Sequence, residues 1–280
     1  MKSGTDIAGI LRVFCTVRDR TIQTTTSRYS EVSHSIDGYV IIWRNVINHG
    51  WNWHSMSVEE IDLTTEGGRY SGEITLSDDA DHGVVLLPGA NHGPYGDVFD
   101  RLTQTLAEHG IALLRYKSWG ESDGLEDAHA KTDEDLFAEL DAAVEQLRER
   151  GYSRISVIGK SFGGKIALRH VPDPVDELVL WAPAVFLEDG TVREQMVPPE
   201  DASLPLIDTK TLATHDQPVK ILQGDEDVIP LKNAHELVDA LPNGRVHVIN
   251  GADHSFVGGD PEDETIETTI GLLTDSDPRS

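Results

Sequence analysis

The chain has 280 residues, enough to bury a full core, and it fits one large α/β domain as well as two small ones. Asp and Glu number 49 against 23 Lys and Arg, and the net charge of −26 disfavours nucleic acid and anionic membranes as partners. The single cysteine, Cys15, excludes an internal disulfide and a metal site built from several thiolates, which favours a reducing compartment.

Two further patterns concern the environment of the protein. No apolar run is long enough to cross a membrane, and the N-terminus lacks the pattern of an export signal, so we expect a cytoplasmic protein. The acidic residues are dispersed along the chain, which indicates an acidic, halophilic-type protein that stays soluble in concentrated salt.

Residues 1–55 differ in composition from the rest of the chain. They hold six basic and four acidic residues, the only cysteine and three of the five tryptophans, with no clear period beyond a strand-like run at 39–43. Because Met56 opens an acidic strand-like run, we expect 1–55 to be a non-core extension, either a mis-assigned start or a disordered segment. A small basic arm that binds a partner is the alternative. Residues 56–280 then form the main domain.

Strand-like and helix-like runs alternate after Met56. The predicted strands are 57–63, 69–76, 84–87, 111–114, 154–159, 178–181, 219–222 and 246–249. The predicted helices are 97–108, 133–150, 165–169, 231–241 and 260–273. This alternation predicts an α/β fold with a mostly parallel open sheet, helices on both faces, and ligands at the carboxyl ends of the strands. A proline-rich interval at about 186–217 predicts a short cap over that edge.

A G-x-S-x-G turn joins the strand at 154–159 to the following helix, with Ser161 at its centre. The glycines leave room for a serine in a strained backbone conformation, and the helix N-terminus favours developing negative charge. This setting is typical of a nucleophile elbow; an ordinary tight turn is the alternative. For Lys160, beside the serine, we expect a salt bridge outside the pocket.

A serine hydroxyl needs a base held in one tautomer by an acid. Asp225 and Asp227 follow the strand at 219–222, and His254 follows the strand at 246–249. The chain order Ser, Asp, His is the order expected for this kind of sheet.

Residues 70–273 resemble an α/β-hydrolase, and in particular the small dienelactone-hydrolase-like serine hydrolases. The resemblance is carried by the elbow together with two turns, one with Gly224, Asp227, Ile229 and Pro230 and one with Gly251, His254 and Phe256. It implies the α/β-hydrolase fold, with Asp227 as the acid and His254 as the base. Asp225 is the alternative acid, although we favour a role in shaping the turn. Dienelactone hydrolases carry cysteine at the position of Ser161, so their substrate is not implied.

The oxyanion hole of such a site needs two backbone N–H groups. We expect one from Phe162, after the nucleophile, and one from Ala90 in the loop after the strand at 84–87, with Asn91 as the second choice. Asn91, His92 and Trp119 are candidate residues of the substrate pocket, and a packing role is the alternative for Trp119.

These residues predict a serine hydrolase that cleaves an ester or related acyl bond of a small molecule through Ser161, His254, Asp227 and an acyl-enzyme. No metal-ligand spacing or nucleotide-binding fingerprint is present, so we expect no cofactor. The alternatives are an acyltransferase or thioesterase with the same triad, or a non-catalytic binding protein on this fold.

Overall fold

One large sheet with helices on both faces forms the centre of the molecule. A computed structural model of the chain describes residues 23–26, 29–36, 39–45, 56–76, 80–90, 92–119, 127–196 and 206–274. The strands in these ranges are β1 (Gln23–Thr26), β2 (Tyr29–Ile36), β3 (Tyr39–Asn45), β4 (Met56–Thr65), β5 (Gly68–Leu76), β6 (His82–Leu87), β7 (Ile111–Tyr116), β8 (Arg154–Lys160), β9 (Glu177–Trp181), β10 (Phe186–Leu187), β11 (Leu206–Ile207), β12 (Val219–Gly224) and β13 (Gly244–Ile249).

The helices alternate with the strands of the second half of the sheet. They are α1 (Asp97–Glu108), α2 (Asp133–Glu149), α3 (Phe162–Arg169), α4 (Arg193–Met196), α5 (Thr209–Leu212), α6 (Leu231–Ala240) and α7 (Gly259–Thr274). The start of α2 shows the local cause of such a boundary: the side chain of Thr132 accepts a hydrogen bond from the backbone N–H of Asp135, and three acidic residues occupy the first turn.

The helices bury two separate apolar clusters, one on each face of the sheet. Side chains of α2, α3 and α6 pack on one face, with Leu140, Ile166 and Leu237 among them. Side chains of α1 and α7 pack on the other face, with Leu102 and Ile270 among them. The prediction of a mostly parallel open sheet with helices on both faces is therefore confirmed.

The strand order of the large sheet is β1-β2-β3-β4-β5-β7-β6-β8-β9-β12-β13. From β7 to β13 neighbouring strands are parallel, whereas the pairs from β1 to β5 and the pair β5–β7 are antiparallel. The chain moves from β6 to β7 on one side and then returns to β8 on the other. This reversal opens a crevice at the carboxyl ends of β6 and β8, the place where ligands bind in such sheets.

Three strands before Met56 extend the sheet at its antiparallel edge. The sequence predicts no regular structure there beyond the run 39–43, but β3 pairs with β4 through Tyr39 and Glu59, and β1 and β2 follow in turn. Serine and threonine dominate β1 and much of β2, so the sequence shows no apolar alternation that would predict these strands. Their conformation depends on pairing with a neighbouring strand. Residues 1–22 and 46–55 lie outside the described residues, and the domain boundary at 55/56 stays a prediction.

The interval between β9 and β12 contains two short helices and a two-stranded parallel pair, β10–β11. Phe186 and Val192 of this interval form a small apolar cluster with Ile229, which follows β12. This contact joins the interval to the turn that carries Asp227. Residues 197–205 lie outside the described residues. That the interval at about 186–217 forms a cap over Ser161 therefore stays a prediction.

Candidate active site

Ser161 lies in a strained turn between β8 and α3. Its φ of 52° and ψ of −110° fall in a region that residues other than glycine rarely adopt. A Cβ at Gly159 would lie 2.8 Å from the carbonyl oxygen of Gly163, and a Cβ at Gly163 would lie 2.1 Å from that of Leu87. Gly159 is therefore required for the turn to close, and Gly163 for the turn to pack against β6.

The side chains of Ser161, His254 and Asp227 form one hydrogen-bonded chain. His254 Nε2 lies 2.9 Å from Ser161 Oγ, and His254 Nδ1 lies 3.0 and 3.1 Å from the two carboxylate oxygens of Asp227. Because a carboxylate only accepts hydrogen bonds, Nδ1 carries the proton, and Nε2 is left to accept from the serine hydroxyl. The carboxylate of Asp227 is fully buried, while the imidazole keeps 30% of its surface exposed.

Asp225 takes a different position in the same turn. Its Oδ1 accepts a hydrogen bond of 2.6 Å from the backbone N–H of Gly251, so it ties the turn after β12 to the turn after β13. A Cβ at Gly224 would lie 2.1 Å from the carbonyl oxygen of Ala252, which shows how closely the two turns approach. The geometry thus favours Asp227 as the partner of His254 and gives Asp225 the turn-shaping position.

Two segments lie where an oxyanion hole is expected. Phe162 is the first residue of α3, so its N–H has no acceptor within the helix. The loop after β6 docks on the same turn, because Gly163 N donates to Pro88 O at 3.1 Å. A Cβ built on Gly89 would lie 3.6 Å from Ser161 Cβ, which places the Gly89–Ala90 peptide beside the serine.

The three candidate pocket residues differ in their surroundings. His92 is exposed, and its backbone N–H donates to Gly89 O at 3.2 Å, so it lies at the rim of the loop. Trp119 is only 2% exposed and packs edge-on against Phe162, which favours the packing role over contact with substrate. Asn91 lies outside the described residues.

Lys160 has an environment that the sequence does not predict. The salt bridge expected for it is not found among the described residues; instead, the side chain is 5% exposed at the end of β8. Burial lowers the pKa of Lys160, and the negative charges of Asp227 and Asp253 act in the opposite direction. The other residues of β8 after Arg154 are buried as well, so Lys160 ends a strand that lies inside the sheet.

Two other features bear on the kind of site. Among the residues that the structure describes, no three His, Cys, Asp or Glu side chains are placed to share a metal ion. No helix within the described ranges is both long and apolar enough to span a bilayer.

Comparison with protein families gives a match over one part of the chain. Residues 78–207, slightly less than half of the sequence, match the model of the α/β-hydrolase family described as serine aminopeptidase, S33. No curated protein matches the chain.

Comparison with solved structures gives many matches at low sequence identity. Dienelactone hydrolase from Anabaena variabilis has a TM-score of 0.61 at 15% identity, over 77% of this chain and 96% of that chain. An esterase of Pyrococcus furiosus has a TM-score of 0.62 at 19% identity, over 78% of this chain and 90% of that chain. Est1E from Butyrivibrio proteoclasticus has a TM-score of 0.59 at 16% identity, over 76% and 95% of the two chains.

The strand order, the strained serine turn and these similarities define one class of protein. The chain has the α/β-hydrolase fold, similar to that of dienelactone hydrolase, and its residues 78–207 match a family model of that class. The predictions of this fold and of a hydrolase are therefore confirmed.

Proposed function

We propose that the protein is a serine hydrolase that cleaves an ester or related acyl bond of a small molecule. The observation that carries the proposal is the hydrogen-bonded chain from Asp227 through His254 to Ser161, at the edge of the sheet where ligands bind. A serine in a strained turn, a histidine in the right tautomer and a buried carboxylate are the three groups that nucleophilic acyl transfer needs.

The proposed reaction has two halves. His254 Nε2 takes the proton of Ser161 as the hydroxyl attacks the carbonyl carbon, and Asp227 stabilises the imidazolium that forms. The backbone N–H groups of Phe162 and Ala90 hold the oxyanion. His254 then protonates the leaving group, which departs and leaves Ser161 acylated. A water molecule, deprotonated by His254, releases the acid and restores the serine.

Substitution of the serine tests the proposal. We expect Ser161→Ala to lower kcat/KM for p-nitrophenyl esters, measured in high salt, by about 10³-fold or more, because the three residues act as a unit. A fluorophosphonate probe should label the wild type at Ser161 and leave the variant unlabelled.

The exposed Ser153 offers a matched control, because Ser153→Ala removes a hydroxyl at the far end of β8. This variant should keep both the turnover and the labelling. Turnover by Ser161→Ala at the wild-type rate would refute the proposal. Amide substrates and competing alcohol or thiol acceptors in the same assay distinguish a peptidase, a thioesterase and an acyltransferase from an esterase.

A further inference from the structure

The indole of Trp119 contacts both segments that flank Ser161. Its Nε1 donates a hydrogen bond of 3.0 Å to the carbonyl oxygen of Gly89. Its ring packs edge-on against the ring of Phe162, with 5.3 Å between centroids and 81° between planes. With 2% of its surface exposed, Trp119 is buried against these segments. One buried side chain therefore connects the two expected donors of the oxyanion hole.

The hydrogen bonds of the loop after β6 fix its peptide planes. Gly89 O accepts from Trp119 Nε1 and from His92 N, and the preceding carbonyl of Pro88 accepts from Gly163 N. A trans peptide is planar, so its carbonyl and its N–H point in opposite directions. Whatever holds Gly89 O in place consequently also sets the direction of the Ala90 N–H, beside Ser161.

A buried ion pair anchors the residue next to Trp119. Ser118 Oγ donates to the carboxylate of Glu139, and Lys131 Nζ donates to Ser118 O at 3.2 Å and to Ser118 Oγ at 3.0 Å. The side chains of Lys131 and Glu139 are 4% and 0% exposed, and the two form a salt bridge. The segment that carries the indole is thus tied to the start of α2, so the indole has a fixed place from which to donate.

We propose that Trp119 is a positioning residue that orients the Gly89–Ala90 peptide, so that the Ala90 N–H points at the oxyanion of the reaction. This inference rests on the proposed function. The oxyanion exists only in the transition state and the tetrahedral intermediates, so a misdirected N–H lowers kcat and leaves substrate binding nearly unchanged.

Trp119→Phe removes the N–H and keeps an aromatic ring against Phe162. We expect kcat for esters to fall by about 10- to 100-fold, less than or similar to the loss of a whole oxyanion donor, while KM stays within about threefold. Affinity for a boronic acid that forms a tetrahedral adduct with Ser161 should fall by a similar factor. Affinity for the carboxylic acid product should not fall. Wild-type kcat and boronate affinity in this variant would overturn the inference.

A second replacement keeps the shape of the side chain. Site-specific incorporation of 3-benzothienylalanine at position 119 exchanges the indole N–H for sulfur in a ring of the same size, so it remains informative if Trp119→Phe does not fold. We expect the same loss in kcat and boronate affinity, and wild-type values would again overturn the inference.

Thr269→Val on α7 provides the matched control. In the wild type, the buried indole of Trp181 donates a hydrogen bond from Nε1 to Thr269 Oγ1 at 3.0 Å. The substitution removes this acceptor. Stability should fall while kcat and boronate affinity stay at wild-type values, and equal losses of kcat in both variants would make the effect of Trp119 merely structural. If the wild type shows no turnover that depends on Ser161, the proposed function fails. If the wild type does show turnover that depends on Ser161, and Trp119→Phe has the same kcat as the wild type, only the present inference fails.

Discussion

At the scale of single residues, the turn after β8 shows why a short motif is specific only in its context. The positive φ of Ser161 is costly for a residue with a side chain, and it persists because the packed neighbours leave no alternative. The close approach of Gly163 to Leu87 O binds the turn to β6, and that contact also places Gly89 against the serine. The strain and the neighbouring loop are thus two consequences of one packing requirement.

The two acidic residues of the turn after β12 allow a direct test at this scale. Asp227 Oδ1 accepts a hydrogen bond of 2.7 Å from Ile229 N. In Asp227→Asn the amide oxygen would keep this bond, and the amide nitrogen would face His254 Nδ1 as a donor. A proton on Nδ1 would then meet an N–H of the amide at the Oδ2 position, which favours the tautomer with the proton on Nε2, and in that tautomer the imidazole cannot accept the proton of Ser161. We expect kcat for esters to fall by about 10³- to 10⁴-fold.

Asp225→Asn is the matched control for that prediction. The amide oxygen of the new residue still accepts from Gly251 N, so the turn should hold and kcat should fall by less than about tenfold. Steady-state kinetics on both variants decide between the two acids. A larger loss in Asp225→Asn than in Asp227→Asn would assign the acid to Asp225.

At the scale of elements, the strands carry a row of polar side chains inside an apolar sheet. His82 Nε2 lies 2.8 Å from Ser156 Oγ, and Ser156 Oγ donates to Glu177 at 3.2 Å. Glu177 in turn forms salt bridges with Arg154 and Lys220. The row crosses β6, β8, β9 and β12 away from the candidate active site, and each buried polar group in it has a partner.

This row predicts a pH dependence of stability. Burial lowers the pKa of His82 from 6.5 to about 4, with Arg154 and Lys220 acting in the same direction and Glu177 and Asp81 against it. Below pH 6.5 the unfolded chain binds a proton that the folded protein does not, so stability falls as pH drops towards 4, by up to about 3 kcal/mol. Above pH 6.5 the histidine is neutral in both states and contributes no such loss.

His82→Gln removes the titration and retains a group that can hydrogen-bond to Ser156. Urea unfolding at pH 7 and pH 4.5 should show a loss of stability that is smaller in the variant by about 2 kcal/mol. The carboxylates titrate in both proteins, so their share cancels in the comparison. Equal losses in the two proteins would show that His82 is not held neutral.

The same elements mark how far the sequence predicts the fold. The helix period gives α1 with its observed bounds. The apolar runs give the five strands β6, β7, β8, β9 and β12 to within a few residues, because burial on both faces excludes other patterns. The sequence does not reveal the hydrogen-bonded row of His82, Ser156 and Glu177, because the partner of each residue lies on another strand. The burial of Lys160 was not predicted for a similar reason, because a single position in a strand does not reveal the turns packed above it.

At the scale of the whole molecule, the strand order brings distant residues to one edge. Ser161, Asp227 and His254 follow β8, β12 and β13, and chain order with strand ends is enough to predict their meeting. The contact of Trp119 with Gly89 was not predictable in this way. It depends on the rotamer of one side chain and on the path of a loop, neither of which leaves a period in the sequence.

The net charge of −26 predicts how the whole molecule responds to salt. Like charges repel across the folded surface, and the Debye length falls from about 10 Å at 0.1 M to about 3 Å at 1 M salt. We therefore expect the melting temperature to rise from low to molar potassium chloride. Asp239, Glu264 and Glu267 are exposed, and replacing them with Asn, Gln and Gln should raise the melting temperature at low salt and flatten the rise. A melting temperature that stays constant or falls as salt increases would show that self-repulsion does not limit stability.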